Sequence, residues 1–504
     1  MKKIKNLSDL IKICTDQKAR GKKVVLCHGV FDLLHLGHIK HFQNARNFGD
    51  ILIVSITSSK FVNKIPGRPF FSDKQRQEAL QSIEYIDYVF CNKDYTPINL
   101  IKKIKPNFYC KGPDYKDNRK DLTGNIIKEI NAVKSINGKI VITEDITFSS
   151  SQLINQFSNE FNSEQKKFLS KIKKITSFEL IEKNFKKLEN IKILIIGEGI
   201  VDEYIFCEGL GKSGKESVLS LRNRRSEKYL GGVFSMAQNS SSFVKKITTL
   251  SYLGKDKILN SFIKEKLNKK IKFKYVYKSN SPTILKKRFL DIVDNRKLIG
   301  VYDLNDDFLS KTEENFFLNM LKKEIKKNDL IIIADFGHGL ITKKVAKYIN
   351  TISKFSSLNA QINASNAGFH TLENYKNINT VVINATELRH EMRQRDGNIV
   401  ELGKVLQNRM KSKKIVITQG QSGAVLITKK KNILAPAFSD KLVDKIGAGD
   451  TLLVLLSLCL KAGFKDEVAI FVASVAAGIS TAGFANSQTV DKNELLNKIK
   501  YYLK

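Results

Sequence analysis

The sequence predicts an α/β protein with two domains, and three observations support this prediction. The chain has 504 residues, which is more than one hydrophobic core of ordinary size accommodates. Residues 24–143 alternate short β-branched runs with segments of helical spacing. The same alternation begins again at residue 191, after a stretch that has no strand pattern. We therefore expect two separate α/β domains.

The first domain is predicted over residues 1–154. Its strand candidates are the runs VVLC, ILIVSIT, YVFC, FYCKG and KIVIT, and the segments between them have helical patterns. Ser72 followed by Gln75 predicts a capping box at the start of one of these helices. Strands that alternate with helices predict a parallel sheet covered on both faces, in a Rossmann-like arrangement.

Residues 155–190 are predicted to form a helical linker, because apolar residues there recur at helical spacing without any β-branched run. Thr176 and Glu179 are expected to cap the second helix of this linker.

The second domain is predicted over residues 191–504. Its strand candidates are IKILIIGEG, DLIIIADFG, TVVINAT, KIVITQG and AVLIT. The apolar run LLVLLSLCL at 452–460 is too short to span a bilayer and predicts a buried helix.

The composition narrows the class of partner. The chain has 86 basic and 50 acidic residues, for a net charge of +36. Such a charge can indicate nucleic acid, an anionic membrane surface or phosphorylated substrates, but lysines occur throughout rather than in one cluster, which favours solvated surfaces. We expect no nucleic-acid or membrane partner, because no aromatic RNA platform, helix-turn-helix pattern or membrane span is evident. Homo-oligomerisation is left open.

The cysteines and the first residues predict a cytoplasmic protein. The six cysteines are far apart and form no CxxC pair, so neither a zinc ribbon nor a disulfide framework is indicated. The segment MKKIKNLSDLIKIC carries charges throughout and lacks the apolar centre of a signal peptide.

The stretch CHGVFDLLHLGHIKHF indicates the first phosphate-handling site. Gly29 ends a predicted strand and permits close approach of a phosphate to the backbone. The helix that follows offers free N–H groups and the positive end of its dipole. His35 and His38 are one helical turn apart, so both imidazoles can donate to phosphate oxygens and stabilise a departing pyrophosphate.

Within this stretch, GVFDLLHLGH resembles the signature GxFDxxHxGH of the nucleotidyltransferase superfamily, and FSSSQLI at 148–154 resembles its closing motif. The resemblance implies a cytidylyltransferase-like domain in which His35 and His38 are catalytic. The nucleotide-binding residues that it implies are Gly29, Phe31, Arg76, Ser150 and Ser151. FYCKGPDYK resembles a segment of the branch that acts on sugar 1-phosphates, which implies substrate contacts from Lys111 and Asp114. Class I aminoacyl-tRNA synthetases share an HxGH box, but MKSKK at 410–414 matches their second motif poorly.

The stretch DKIGAGDTLLVLLSLCL indicates the second site. Gly447, Ala448 and Gly449 form a small-residue turn at the start of an apolar helix, which is an anion hole made of backbone N–H groups. Asp450 lies in that turn, where it can accept a proton from a substrate hydroxyl that attacks the γ-phosphate of ATP.

This stretch resembles the D-x-x-G-A-G-D signature of the ribokinase-like (PfkB) carbohydrate kinases, whose fold is an α/β sandwich, and other segments agree in order. The resemblance implies that Asp450 is the catalytic base. The sugar contacts that it implies are Asp202, Gly231, Gly232 and Asn239. Asn384 and Glu387 match a motif linked to magnesium and phosphate, although no metal ligand is assigned with certainty.

The chain departs from the kinase pattern at three positions. Asn363 and Ser365 stand where an aspartate and often a lysine are usual, and His338 stands where related heptose kinases often have a lysine. These departures leave open a degenerate kinase domain that only senses a sugar.

Two phosphate-handling domains on one chain predict sequential chemistry on one metabolite. A kinase would phosphorylate a sugar or sugar phosphate, and the transferase would join the product to a nucleotide, with ATP or CTP as donor and Mg²⁺ in both steps. The pairing resembles the bifunctional heptose-phosphate kinase/adenylyltransferase family, with the domain order reversed. An ADP-heptose type of product is expected. The alternative is another sugar or polyol, CDP- or ADP-linked.

Overall fold

The computed structural model describes residues 2–3, 6–62, 69–112, 125–143, 161–214, 216–363, 365–439 and 442–504. It divides the chain into two compact units, Met1–Phe161 and Asn162–Leu503. No helix in these described ranges combines the length and the hydropathy that crossing a membrane requires.

The first unit contains a six-stranded parallel sheet, which confirms the Rossmann-like prediction. Its strands are β1 (Lys2–Lys3), β2 (Val24–Gly29), β3 (Ile51–Thr57), β4 (Tyr88–Asn92), β5 (Phe108–Lys111) and β6 (Lys139–Ile142). Its helices are α1 (Leu7–Ala19), α2 (Leu36–Arg46), α3 (Asp73–Gln81), α4 (Ile98–Ile104) and α5 (Asn125–Lys134). The predicted capping box of Ser72 and Gln75 is confirmed at α3.

The sheet order β1-β4-β3-β2-β5-β6 explains where the first site lies. The chain passes from β2 to β3 on one side, while β5 pairs with the other side of β2. The carboxyl end of β2 is therefore a topological switch point, where open α/β sheets bind ligands. Alternate residues of β2 fill two cores on opposite faces, Val24 and Leu26 in one and Val25 and Cys27 in the other.

The second unit is also α/β. Its strands are β7 (Lys192–Gly197), β8 (Gly199–Lys212), β9 (Leu219–Gly232), β10 (Lys246–Leu253), β11 (Ile271–Tyr277), β12 (Leu285–Asp291), β13 (Lys297–Asp303), β14 (Leu330–Asp335), β15 (Phe355–Ala360), β16 (Thr380–Asn384), β17 (Lys414–Thr418), β18 (Ala424–Thr428) and β19 (Asn432–Ala435). Nine of them form a sheet in the order β11-β10-β7-β14-β15-β16-β17-β18-β19. This sheet is parallel except at β18, which is antiparallel to both neighbours.

The other four strands form a separate sheet in the order β13-β12-β8-β9, which we call the small sheet. The sequence analysis does not predict it. Of its outer strands, β9 is largely exposed and rich in charges, so it lacks an apolar run, and the short apolar run of β13 was not recognised as a strand.

Helices cover the second unit. They are α6 (Ser163–Ile175), α7 (Phe178–Leu188), α8 (Val233–Ser240), α9 (Lys257–Lys266), α10 (Lys311–Lys327), α11 (Lys343–Ile349), α12 (Ala385–Met392), α13 (Ile399–Met410), α14 (Ala448–Lys461), α15 (Asp466–Ser480) and α16 (Lys492–Tyr502). The run at 452–460 is a buried part of α14, as predicted.

The segment predicted as a linker supplies α6 and α7, and both helices pack within the second unit. The predicted cap of α7 is wrong. Ser177, not Thr176, caps it, with its side chain accepting the Leu180 N–H. Thr176 is the C-cap of α6, where its N–H donates to the Ile172 oxygen, and the next residue therefore caps α7.

Candidate active sites

The first site begins where β2 ends. Gly29 is followed by Phe31, whose φ of 45° lies in the left-handed region that non-glycine residues rarely adopt. A Cβ at Gly29 would lie 3.0 Å from the Phe31 ring. Glycine at this position therefore lets the aromatic ring cover the end of the strand, and the ring in turn meets His38 edge to face at 5.4 Å.

The two signature histidines lie together at the start of α2. Their rings stack with centroids 3.9 Å apart and an interplanar angle of 24°. His35 is the N-cap of α2, and its Nδ1 accepts the Gly37 N–H at 3.1 Å. An acceptor at Nδ1 puts the proton of the neutral ring on Nε2. That buried Nε2 finds no hydrogen-bond partner among the described residues, so it is a donor suited to an anion.

Burial lowers the pKa of His35, which favours its neutral form. The neutral ring still has its Nε2–H to donate to a phosphate oxygen.

Arg76 occupies a structural position. It is 1% exposed, and its guanidinium donates to the backbone oxygens of Val30 at 2.6 Å and Thr57 at 3.0 Å and to Asp73 at 2.8 Å. Asp32, in the same signature, accepts N–H groups of the segment that leads into α3. Both residues thus hold the loops around the site in place.

Lys111, the last residue of β5, is buried next to the end of β2. Its ammonium lies 2.9 Å from the Glu129 carboxylate on α5, and Tyr109 donates to the same carboxylate at 2.8 Å. A substrate anion here would share Lys111 with Glu129. Asp114, Ser150 and Ser151 lie outside the described residues.

His28 and His41 are buried and hydrogen bonded away from the signature pair. His28 contacts Ser55 at 2.7 Å and Thr57 at 3.2 Å, and burial lowers its pKa to about 3. His41 contacts Thr143 at 2.8 Å. Both side chains therefore have structural partners.

The second site is the N-terminus of α14. Gly447 has a φ of 84°, and a Cβ there would lie 2.0 Å from Asn486 Oδ1. No side chain caps this helix, although the first N–H groups of any helix lack intrahelical partners. Within the described ranges the Ala448 N–H donates to the Lys445 oxygen at 3.4 Å, whereas the N–H groups of Gly447 and Gly449 have no such acceptor and can bind an anion.

Asp450 is in the first turn of α14 and is half-buried. Burial is the main cause that raises its pKa to about 7, and repulsion from Asp202 and Glu387 adds to it. Lys286 acts in the opposite direction. The structure therefore brings three sequence-predicted carboxylates into one electrostatic cluster, with a pKa suited to a general base near neutral pH.

The predicted sugar contacts lie on β8, at the end of β9 and on α8. Asp202 is buried on β8, and a Cβ at Gly231 would lie 2.3 Å from its carboxylate. Gly232 starts α8 with a φ of 55°. The Asn239 amide donates to Thr451 at 3.1 Å and accepts the Val490 N–H at 3.0 Å, so it ties α8 to the start of α14.

Asn384 and Glu387 form a capping box at the start of α12. The Asn384 side chain accepts the Glu387 N–H at 2.8 Å, and Glu387 accepts the Asn384 N–H at 2.9 Å. Burial raises the pKa of Glu387 to about 7. The carboxylate is therefore both a structural acceptor and a member of the Asp450 cluster.

Two cations on β12 were missed by the sequence analysis. Lys286 and Arg288 are two residues apart, so they point to the same face of the small sheet. Arg288 is ion-paired with Asp202. Lys286 is 7% exposed, and its ammonium has no hydrogen-bond acceptor or ion-pair partner within the described ranges. The sequence signal that could have revealed them is the strand pattern of LKKRFLD, in which Lys286 and Arg288 are two residues apart.

The departures from the kinase pattern make local hydrogen bonds, although the buried Nε2 of His338 has none among the described residues. Asn363 donates to the Phe336 backbone oxygen at 2.8 Å and accepts the Ser365 hydroxyl at 2.7 Å. His338 is fully buried, and its Nδ1 lies 2.6 Å from the Asp306 carboxylate. These polar side chains stand where the family usually has an aspartate and lysines.

Comparison with known families agrees with the division of the chain into two units. The model of the pfkB family of carbohydrate kinases matches residues 190–490, which is more than half of the chain. A cytidylyltransferase-like model matches residues 26–158. The domain order is the one predicted from the sequence.

Curated relatives match the N-terminal part of the chain. A protein of Geobacter sulfurreducens named Bifunctional protein HldE is 39% identical over 140 residues, which are 27% of this chain and 27% of the relative. A protein of the same name from Nitratiruptor sp. is 40% identical over 139 residues, 27% of this chain and 30% of the relative. The matches thus span less than a third of these relatives.

Among solved structures, phosphofructokinase-2 from Escherichia coli in complex with fructose-6-phosphate aligns with a TM-score of 0.50. The alignment covers 62% of this chain and 99% of that chain at 14% identity. This likeness shows the ribokinase-like fold.

Proposed function

Because the chain belongs to the pfkB family of carbohydrate kinases, we propose that its second unit phosphorylates a sugar phosphate and that its first unit joins the product to a nucleotide. The proposed product is a nucleotide-activated sugar of the ADP-heptose type, with pyrophosphate and ADP as by-products. The observation that carries the proposal is the carboxylate cluster of Asp450, Asp202 and Glu387 at an uncapped helix N-terminus.

In the kinase step, Asp450 accepts the proton of a sugar hydroxyl as its oxygen attacks the γ-phosphorus of ATP. The bond between that phosphorus and the bridging oxygen breaks, and ADP leaves. The backbone N–H groups of Gly447 and Gly449 bind the phosphate oxygens on which charge develops.

A substrate that already carries a phosphate is supported by Lys286. The buried Lys286 ammonium lies 5.5 Å from the centre of the Tyr302 ring but has no hydrogen-bond acceptor or ion-pair partner in the part of the chain that the structure describes, and an anionic ligand would supply one. Lys286 is paired in register with Asp202 of β8, which is the predicted sugar-binding side of the cluster. We therefore assign the Lys286 ammonium and the neighbouring Arg288 guanidinium to the phosphate of the substrate.

In the transferase step, a phosphate oxygen of the sugar phosphate attacks the α-phosphorus of the nucleoside triphosphate. The bond to the β-phosphate oxygen breaks, and pyrophosphate leaves. His35 Nε2–H and the stacked His38 imidazole would stabilise the charge on the departing group. Arg76 acts as a positioning residue, because its guanidinium holds the surrounding loops.

The kinase cluster is suited to Mg²⁺ carried by the nucleotide. Magnesium prefers oxygen ligands and commonly uses one or two carboxylates with substrate phosphates and water. Glu387 is the residue here that would hold it, directly or through water. The ion would neutralise charge on the transferred phosphate.

The direct test incubates the full chain with MgATP, or MgCTP, and a panel of sugars and sugar phosphates. Mass spectrometry identifies the products. We expect ADP, a doubly phosphorylated sugar and, once the anomeric phosphate is present, a nucleotide-linked sugar. Absence of any phosphorylated sugar across heptose and hexose phosphates would contradict the proposal.

A matched pair of variants tests the substrate phosphate. Lys286→Met should raise KM for the phosphorylated sugar by about tenfold or more, since a charge-assisted contact is lost. Lys287→Met is the control, because Lys287 pairs with Asp303 on the same strand pair. Equal effects of the two substitutions would argue against the assignment.

A sugar-sensing second unit is the other candidate. It is favoured by the uncharged Asn363 and Ser365, which stand where the family usually has charged residues. In that case the chain binds sugar without producing ADP, and Asp450→Asn changes nothing measurable. ADP formation that depends on both sugar and Asp450 would exclude it.

A cytoplasmic location is part of the proposal. The cysteines are all free thiols, and most are buried, which is consistent with a reducing compartment.

A further inference from the structure

Asp444, the first residue of the motif that contains Asp450, receives four hydrogen bonds from separate parts of the second unit. Its Oδ2 accepts the Tyr204 hydroxyl at 2.6 Å and the Ala485 N–H at 3.1 Å. Its Oδ1 accepts the Lys297 ammonium at 2.7 Å and the Ile446 N–H at 3.3 Å. Each carboxylate oxygen thus joins the small sheet to a loop.

The two loops that Asp444 joins build the anion-binding turn. Ile446 immediately precedes Gly447, and Ala485 immediately precedes Asn486. Asn486 is the residue against which Gly447 packs, since a Cβ on Gly447 would lie 2.0 Å from its side-chain oxygen. The position of the turn is therefore set from both sides by the Asp444 carboxylate.

The other two donors belong to the small sheet. Tyr204 is on β8 and is fully buried, and Lys297 begins β13. Lys297 also lies 5.7 Å from the centre of the Tyr204 ring, and Arg288 lies 5.6 Å from it. Since Arg288 is the ion-pair partner of Asp202, a chain of contacts runs from the sugar side of the site to Asp444.

The electrostatics agree with a carboxylate held in its charged form. Burial acts to raise the pKa of Asp444, but the hydrogen bonds from Lys297 and Tyr204 outweigh it and lower the pKa below its ordinary value. The Lys297 side chain is 41% exposed, so solvent screening weakens this pair, whereas the Asp444 carboxylate is only 5% exposed.

We propose that Tyr204 and Lys297 are positioning residues that hold the anion-binding turn through Asp444, so that nucleotide affinity depends on the small sheet. The inference rests on the proposed function in one respect, namely that this turn binds the phosphates of ATP. Neither side chain has to touch the nucleotide, because displacement of the turn by about 1 Å is enough to weaken its backbone contacts.

The test measures binding of the magnesium complex of β,γ-imido-ATP to the full chain by titration calorimetry, with no sugar present, and assigns to the second unit the binding that Gly447→Ala weakens. Lys297→Met and Tyr204→Phe should each weaken binding by about tenfold, within the range typical of coupling between sites. Lys297→Arg should restore affinity to within about threefold, because it keeps the charge. Thermal unfolding of each variant is recorded alongside.

Lys287→Met is the matched control. Lys287 is on the same sheet and pairs with Asp303 at 2.8 Å, away from Asp444, so its loss should leave affinity unchanged. A purely structural role for Lys297 would lower the melting temperature without changing the affinity of the folded chain.

Lys297→Met and Tyr204→Phe chains that bind the nucleotide as tightly as the unchanged chain would overturn the inference. This failure is distinct from failure of the proposed function. A chain that binds the nucleotide but phosphorylates no sugar would contradict only the latter.

Discussion

Asp450 combines the two properties that a catalytic base requires. It lies at a helix N-terminus that is free to bind phosphate, and its carboxyl has a pKa raised to about 7 by burial and by neighbouring carboxylates. The same burial opposes folding, because a carboxylate loses hydration without gaining an ion-pair partner. Activity and stability are therefore expected to move in opposite directions at this residue.

Asp450→Asn keeps the shape of the side chain and removes the proton acceptor. We expect sugar phosphorylation to fall by about 100- to 10,000-fold, the usual contribution of a general base. The free energy of unfolding at pH 8 should rise by about 1 to 3 kcal/mol, since the buried charge is gone. Coupled ADP assays and urea unfolding measure the two effects. A variant with unchanged turnover would refute the assigned role.

The pH dependence of the kinase follows from the raised pKa of Asp450. The base must be ionised, so kcat/KM should fall by about tenfold per pH unit below about pH 7. Because the folded pKa lies above the unfolded value of 3.8, the folded chain binds the proton more tightly. The contribution of Asp450 to stability therefore declines as pH rises from about 4 to about 7. A kcat/KM profile that is flat down to about pH 5 would contradict this assignment.

The roles of single residues were predictable where a short motif defines them. They were not predictable where contacts between distant parts of the chain define them. His35, His38 and Asp450 follow from short signatures. Lys286 stands in a lysine-rich strand and Lys297 begins an exposed one, so both resemble ordinary solvated surface lysines. Lys286 comes to lie beside Asp202, and Lys297 beside Asp444, only because strands distant in sequence pair in the fold.

At the level of secondary structure, each site is the start of a helix with a specific backbone requirement. In the first unit this is α2 after β2, and in the second it is α14 after the turn at Gly447. Long apolar strands and buried helices were predictable from their runs. The small sheet was not, because β9 lacks that pattern, the apolar run of β13 is short and exposed, and both strands gain their stability from pairing.

Gly447 and Gly463 provide a matched test of the anion-binding turn. Both have a φ of 84°, but a Cβ at Gly463 meets nothing within 4 Å, whereas one at Gly447 meets Asn486 at 2.0 Å. Gly463→Ala should cost about 1 to 2 kcal/mol of stability from backbone strain and leave nucleotide affinity unchanged.

Gly447→Ala should show the same strain and also weaken nucleotide binding by about tenfold or more, because the turn has to move. Calorimetric titration with β,γ-imido-ATP and thermal unfolding separate the two effects. Equal affinities of the two variants would mean that the turn does not bind the nucleotide.

For the whole chain, the division into two units makes the two chemistries separable. The α/β class, the two families and their order were predictable because each unit carries its own motif within its own strand–helix pattern. The sequence did not indicate that α6 and α7 pack within the second unit. An amphipathic helix has the same apolar pattern when it links two domains as when it belongs to one of them. The choice of sugar also depends on side chains that tertiary contacts bring together.

The most direct test of two independent sites compares His38→Ala and Asp450→Asn in one pair of assays on the full chain. One assay measures pyrophosphate released from a sugar 1-phosphate and MgATP, and the other measures sugar-dependent ADP formation. His38→Ala should lower pyrophosphate release by about 100-fold or more and leave ADP formation intact, while Asp450→Asn should do the reverse. Loss of both activities in either variant, with unchanged thermal unfolding, would contradict the account.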